Sequence, residues 1–140
     1  MIKKTKHAGT NYRTIKPFLD AADKAGGRVH FISDGYMNLV IENLYTTDDS
    51  GMKWYAIAHY GECNGDLMAD PDMEIAVDDT TGRIVPRTYQ NDYMGIFQAV
   101  FKTINGKNMY SPSLLTQLDE FLWNWLQNIK DQGFTPEITA

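Results

Sequence analysis

Two spacings of apolar residues alternate along this chain. Tyr12, Ile15, Phe18, Leu19, Ala22 and Ala25 fall on one stripe at helical period, with Arg13, Lys16, Asp20 and Lys24 off it. The stripe predicts a helix over 14–25, capped by Thr14, with Pro17 in its first turn and Gly26-Gly27 as its stop. From Arg28 the period changes to two, the spacing of strands. Residues 29–33 and 36–44 flank Asp34-Gly35, a hairpin dipeptide, and Met37, Leu39 and Ile41 would share the buried face. Over 53–60, Trp54, Ala56 and Ala58 alternate with Tyr55, Ile57 and His59, so both faces are largely apolar and a central strand is expected.

Further strands are predicted at 73–78, at 83–88 with Pro86 marking an edge or bulge, and at 94–103, ended by Asn105-Gly106. Ser111-Pro112 then opens a long helix that Gly133 closes. Its stripe of Leu114, Leu115, Leu118, Phe121, Leu122, Trp125, Leu126 and Ile129 is that of a helix packed on a sheet. The reading is an α+β domain: a mainly antiparallel sheet of five to six strands, with an N-terminal and a long C-terminal helix packed on one face. One domain is expected over 14–134, between a flexible tail at 1–13 and a loose tail at 135–140.

Charge and cysteine content narrow the classes. With 140 residues and a net charge of −5, the chain lacks the basic stripe that phosphate binding needs, so direct nucleic-acid binding is not expected. No apolar run reaches membrane-spanning length, and the basic N-terminus is not followed by a leader-like apolar segment. Cys63 is the sole cysteine, which excludes an internal disulfide and fits a reducing, cytoplasmic location. Seven acids and no Lys or Arg lie between Trp54 and Gly82, so a patch of one sign is expected.

Most of those acids follow His59, in a stretch read as an acidic loop. Asp70, Asp72 and Glu74 alternate with Pro71, Met73 and Ile75, the pattern of a strand with its acids in water. No cofactor is expected, but a competing reading folds the loop so that Glu62, Asp66 and Asp70 converge with His59 on a divalent ion. With Asp92 added, that would make a metal-dependent hydrolase or nuclease, whose phosphate-holding residues would have to be Arg83 and Arg87. The acids are out of phase with a calcium-binding EF-hand loop. Cys63 with His59 as base is a weaker pairing, because Glu62 next to the thiol opposes its ionisation.

Two surfaces complete the sequence reading. A polar cleft could form where His59, Glu62, Asn64, Asp66 and Asp70 meet Tyr89, Asn91 and Asp92, since both segments lie at strand ends. On the last helix Trp123 lies about 140° from Leu118, among Glu120, Gln127 and other polar residues. An indole there either packs under the N-terminal tail or a loop, or serves as an interaction surface for a protein partner or a second copy.

The block running from His59 through Glu74, followed by Tyr89-Gln-Asn-Asp-Tyr-Met-Gly95, resembles DUF6908, a family of uncharacterised bacterial domains associated with mobile elements and gut bacteria; the similarity extends to the Phe-Leu-Trp-Asn-Trp-Leu helix. The resemblance implies a small cytoplasmic accessory protein and brings no catalytic residues with it. The resulting expectation is a non-catalytic protein-interaction module, with the acid-bound metal enzyme as the alternative.

Overall fold

A computed structural model describes residues 4–47 and 50–137, without the side chain of Glu62. The first helix, α1, spans Ala8–Lys24, so it begins six residues before Thr14, and residues 8–13, expected in the tail, are its opening turns. No side chain caps it, and Pro17 lies in its interior rather than in its first turn. The early start has a tertiary cause, a pair of hydrogen bonds to the second helix described below.

The strands are β1 (Arg28–Ile32), β2 (Leu39–Thr47), β3 (Lys53–Cys63), β4 (Asp66–Asp78), β5 (Arg83–Pro86), β6 (Thr88–Asn91), β7 (Ile96–Ala99), β8 (Phe101–Ile104) and β9 (Lys107–Tyr110). Helix α2 (Pro112–Gln132) follows, and a two-residue strand, β10 (Thr135–Pro136), closes on β1. Among the described residues, an eight-stranded antiparallel sheet runs β10-β1-β2-β3-β4-β6-β7, with β5 also paired to β4, and β8-β9 stand apart as a hairpin. The fold is thus α+β as expected, with more strands than the five to six predicted. One source of the excess is the stretch 83–104. Pro86 ends β5, and Val100, whose N–H donates to Arg87 and whose carbonyl accepts from Ser111, interrupts the expected strand 94–103 so that the chain turns onto the hairpin.

Residues directly opposite in antiparallel strands share a face. Val29, Ile41, Ile57 and Met73 are aligned across four strands, and they join Leu39, Tyr55, Ile75, Val77 and Ile84 beneath the helices. Met37 is an exception, lying exposed ahead of β2. Ile15 and Leu19 of α1 and Leu118, Leu122, Leu126 and Ile129 of α2 complete one buried cluster. The tie between helix and sheet is partly polar, because the Tyr55 hydroxyl donates to Asp23 at 2.7 Å. Helix α2 keeps the caps its sequence announces: the Ser111 hydroxyl accepts from the Leu114 N–H, and Gly133 takes the left-handed conformation. No helix among the described residues is long and apolar enough to cross a membrane.

Candidate functional site

The acidic stretch is not a loop. β3 and β4 continue past the ends of their neighbours as a two-stranded ribbon, turned by Asn64 and Gly65, both at positive φ, with Glu62 opposite Leu67 and Cys63 opposite Asp66. Asn64, Asp66 and Cys63 are exposed at its tip. Asp66 and Asp70 are four positions apart along the strand, a span of about 13 Å. A register shift opposite His59 inserts one extra residue in β4 at Asp70-Pro71. The shift changes which way the acids point. Asp72 and Glu74 align with Ala58 and Ala56 on the face away from the helices, whereas Asp70 turns toward Asn91.

Three members of the expected cleft do meet. The Asn91 amide donates to Asp70 at 2.9 Å, and its oxygen accepts from the Met94 N–H. The Asp92 carboxylate accepts from the Gln90 side chain at 2.7 Å and from the Ala69 N–H at 2.8 Å, and these bonds hold its pKa below the usual carboxylate value. The Asp92 N–H in turn donates to the Ala69 carbonyl. The bond from Asn91 to Asp70 and the two between Asp92 and Ala69 tie β4 to the end of β6 and its turn, and the other two lie within that turn, which is how Asn and Asp commonly serve turns.

His59 is 9% exposed, against Trp125 and Phe134, with ring centroids 5.4 and 5.6 Å away. Burial lowers its pKa, outweighing the backbone carbonyls of Asn38 and Met37 and the charge of Asp70. A neutral imidazole with Nδ1 3.3 Å from the Asn38 carbonyl is a satisfied core histidine. Tyr89 packs edge-on against Phe121 at 5.1 Å rather than walling a cleft. Among the described residues, no three His, Cys, Asp or Glu side chains lie close enough to hold a metal ion. Asp66 is not part of the Asp70 group, and the Glu62 side chain lies outside the described residues.

On the outer face, Glu42, Ala56 and Glu74 stand in one row, and Val40, Ala58, Asp72 and Gln90 in the next. Burial raises the pKa of Asp72 against the opposing hydrogen bond from Tyr60, and the charges of Glu74, Asp92 and Glu42 add to the rise. Arg28 stands opposite Glu42 with its Nε 3.6 Å from that carboxylate, and Asp78 and Asp79 pair with Arg83, Lys16 and Lys53. The acids between Trp54 and Gly82 are therefore not gathered into the patch of one sign expected from the sequence.

Trp123 is covered. The His7 imidazole stacks on its indole, with centroids 4.7 Å apart and 17° between planes, and its Nε2 lies 2.7 Å from the Glu120 carboxylate. Thr5 donates to Asp119 at 2.6 Å and the His7 N–H donates to the same carboxylate at 3.0 Å. Asp119, at 2% exposure, is the anchor that the sequence reading passed over as one more polar-face residue. Gln127 is half-buried on the same helix.

The surface that sequence reasoning missed begins at β7. Met94 and Phe97 are 67% and 64% exposed, and Ile104 and Met109 of the β8-β9 hairpin are 49% and 52% exposed. The hairpin is held from behind: Val100 is in the core, and the Arg87 guanidinium sits 4.6 Å from the Phe101 ring and 3.8 Å from that of Trp54. A usable signal was present in the sequence, since residues 93 to 118 contain no Asp or Glu while apolar side chains flank the Asn105-Gly106 turn.

A family model described as a domain of unknown function (DUF6908) matches residues 12–135. No curated protein and no solved structure matches the chain.

Proposed function

Because the chain belongs to the DUF6908 family, which brings no activity with it, we propose its role from its own surfaces: a non-catalytic module that binds another protein through β7 and the β8-β9 hairpin. One observation carries the reading. Four large apolar side chains, Met94, Phe97, Ile104 and Met109, are 49–67% exposed within one short segment, whereas Tyr45 and Leu67, which are more exposed still, lie far apart in the sequence. Scattered apolar side chains on a surface need no explanation, but Ile104 and Met109 line one groove on the hairpin, the grouping that marks an interaction site. The Trp123 surface is a weaker candidate, since His7 occupies the face of the indole. The metal-dependent hydrolase reading draws nothing from Asp66 and Asp70, which stand apart on the ribbon. The mobile-element setting implied by the resemblance is part of this proposal, as the context in which an accessory binder would act.

The test compares the unchanged chain with a Phe97→Glu plus Ile104→Glu variant whose fold is verified by circular dichroism. Both are expressed in the source cells with a cross-linking label, and bound proteins are identified. A partner recovered with the unchanged chain and lost with the variant supports the reading. Identical recovery from both refutes it.

A further inference from the structure

The two faces of the β8-β9 hairpin differ in kind. Lys102 is opposite Met109 and Ile104 is opposite Lys107, so by strand alternation these four side chains stand on one face, two cations on a diagonal and two apolar groups on the other. Phe101, Thr103, Asn108 and Tyr110 take the opposite face, where Phe101 meets Arg87. Lys102, Ile104 and Met109 open on a groove of about 310 Å³ completed by Ala99 at the end of β7 and Leu114 in the first turn of α2. β7 is the last strand of its sheet among the described residues, so one side of its backbone has no neighbouring strand. Lys102 and Lys107 are the only charged residues between 93 and 118, in a chain whose net charge is −5.

We propose that this groove docks an extended segment of another protein in which apolar side chains alternate with carboxylates. The inference rests on the reading of this surface as a protein-binding face and adds the chemistry of the partner. The segment lies along β7 and pairs with its free backbone groups, the mode by which exposed sheet edges take up peptides. Its apolar side chains enter the groove beside Ile104 and Met109, and its carboxylates meet Lys102 and Lys107. Charge selects this occupant over the other two. In a two-fold contact with a second copy the same patch faces itself, which brings the lysine pair of one chain against that of the other. Attraction to an anionic lipid surface takes a cluster of basic residues, commonly four or more, whereas this hairpin has two on a chain of opposite net charge.

The experiment selects random short peptides displayed on phage against the immobilised full chain, with counter-selection on Ile104→Glu. Peptides rich in Asp and Glu at alternate positions are expected. Their synthetic forms should bind the unchanged chain, lose about tenfold or more in affinity to Lys102→Glu plus Lys107→Glu, and keep their affinity for Lys102→Arg plus Lys107→Arg. Peptides that compete at Ile104 but carry no acidic bias overturn the charge argument and leave the docking face standing. Failure to enrich any peptide sensitive to Ile104→Glu overturns both. Sedimentation of the chain as a dimer that Ile104→Glu disperses, or its co-sedimentation with phosphatidylcholine–phosphatidylserine vesicles, assigns the groove to a different occupant and overturns the proposal.

Discussion

Asp119→Ala tests how the N-terminal segment is held over Trp123. The carboxylate is 2% exposed and accepts from the Thr5 hydroxyl at 2.6 Å and from the His7 N–H at 3.0 Å. Hydrogen bonds to a charged acceptor contribute about 1.5–3 kcal/mol each. Two opposing effects lower the sum: burying a carboxylate has its own desolvation cost, and the half-buried donors can turn to water once it is gone. The net loss expected is about 2–3 kcal/mol, or roughly 6–12 °C in melting temperature for a domain of this size. Calorimetry reads the melting temperature, and tryptophan emission reads the site, because a segment released from α2 takes the His7 ring off Trp123 and shifts its emission to the red. Asp119→Asn, which keeps one acceptor oxygen, should fall between the two. A melting temperature within about 2 °C of the unchanged chain, with unshifted emission, would refute the anchoring argument.

Three other outcomes follow from the geometry. The lowered pKa of His59 means that the unfolded chain binds its proton more tightly, so stability is full above 6.5, the unfolded value, and falls as pH drops through the window below it; His59→Gln should remove that acid-sensitive portion in melts taken across the window. Asp72 has the opposite sign: its raised pKa favours the protonated folded form, and its contribution declines as pH climbs from 3.8 toward the folded value. Asp72→Asn, which can still accept from Tyr60, should therefore stabilise at neutral pH by a few tenths to about 1 kcal/mol, and a destabilised variant would show that the charge has a favourable partner. Gly61 has the Tyr93 hydroxyl where a Cβ would lie, so Gly61→Ala should cost about 1 kcal/mol and Tyr93→Ala should recover it in denaturant titrations; an uncompensated loss would trace the cost to the backbone.

Local chemistry made parts of this fold legible and non-local chemistry hid others. Ser111, Pro112 and Gly133 mark the ends of α2 because capping involves neighbours in sequence. The start of α1 has no such mark: His7 provides no side-chain cap, and what fixes the turn is a carboxylate more than a hundred residues away. The central place of β3 could be read from its two apolar faces, and the pairing of β2 and β4 on either side agrees. The ribbon from Glu62 to Asp70 was hidden because its polar composition resembles a loop, although Asn64-Gly65 is a hairpin dipeptide. Of the cleft, Asp70, Asn91 and Asp92 were placed together by the similarity of their turn chemistry. His59 and Tyr89 went instead to the aromatic layer under α2, a destination set by packing that a short polar window does not encode.

The extra residue in β4 gives the sheet slack in its length. Ala58 pairs with Asp72 and Tyr60 with Ala69, so a single position on β3 faces two on β4. A one-residue deletion at Asp70 or Pro71 would close that gap and leave both flanking pairs in place. The same deletion at Met73 or Ile75 would move half of the strand's buried side chains into water, because every residue beyond it would change faces. Members of the family that are one residue shorter in this hairpin should therefore have lost it beside His59, where length can change without inverting the sheet.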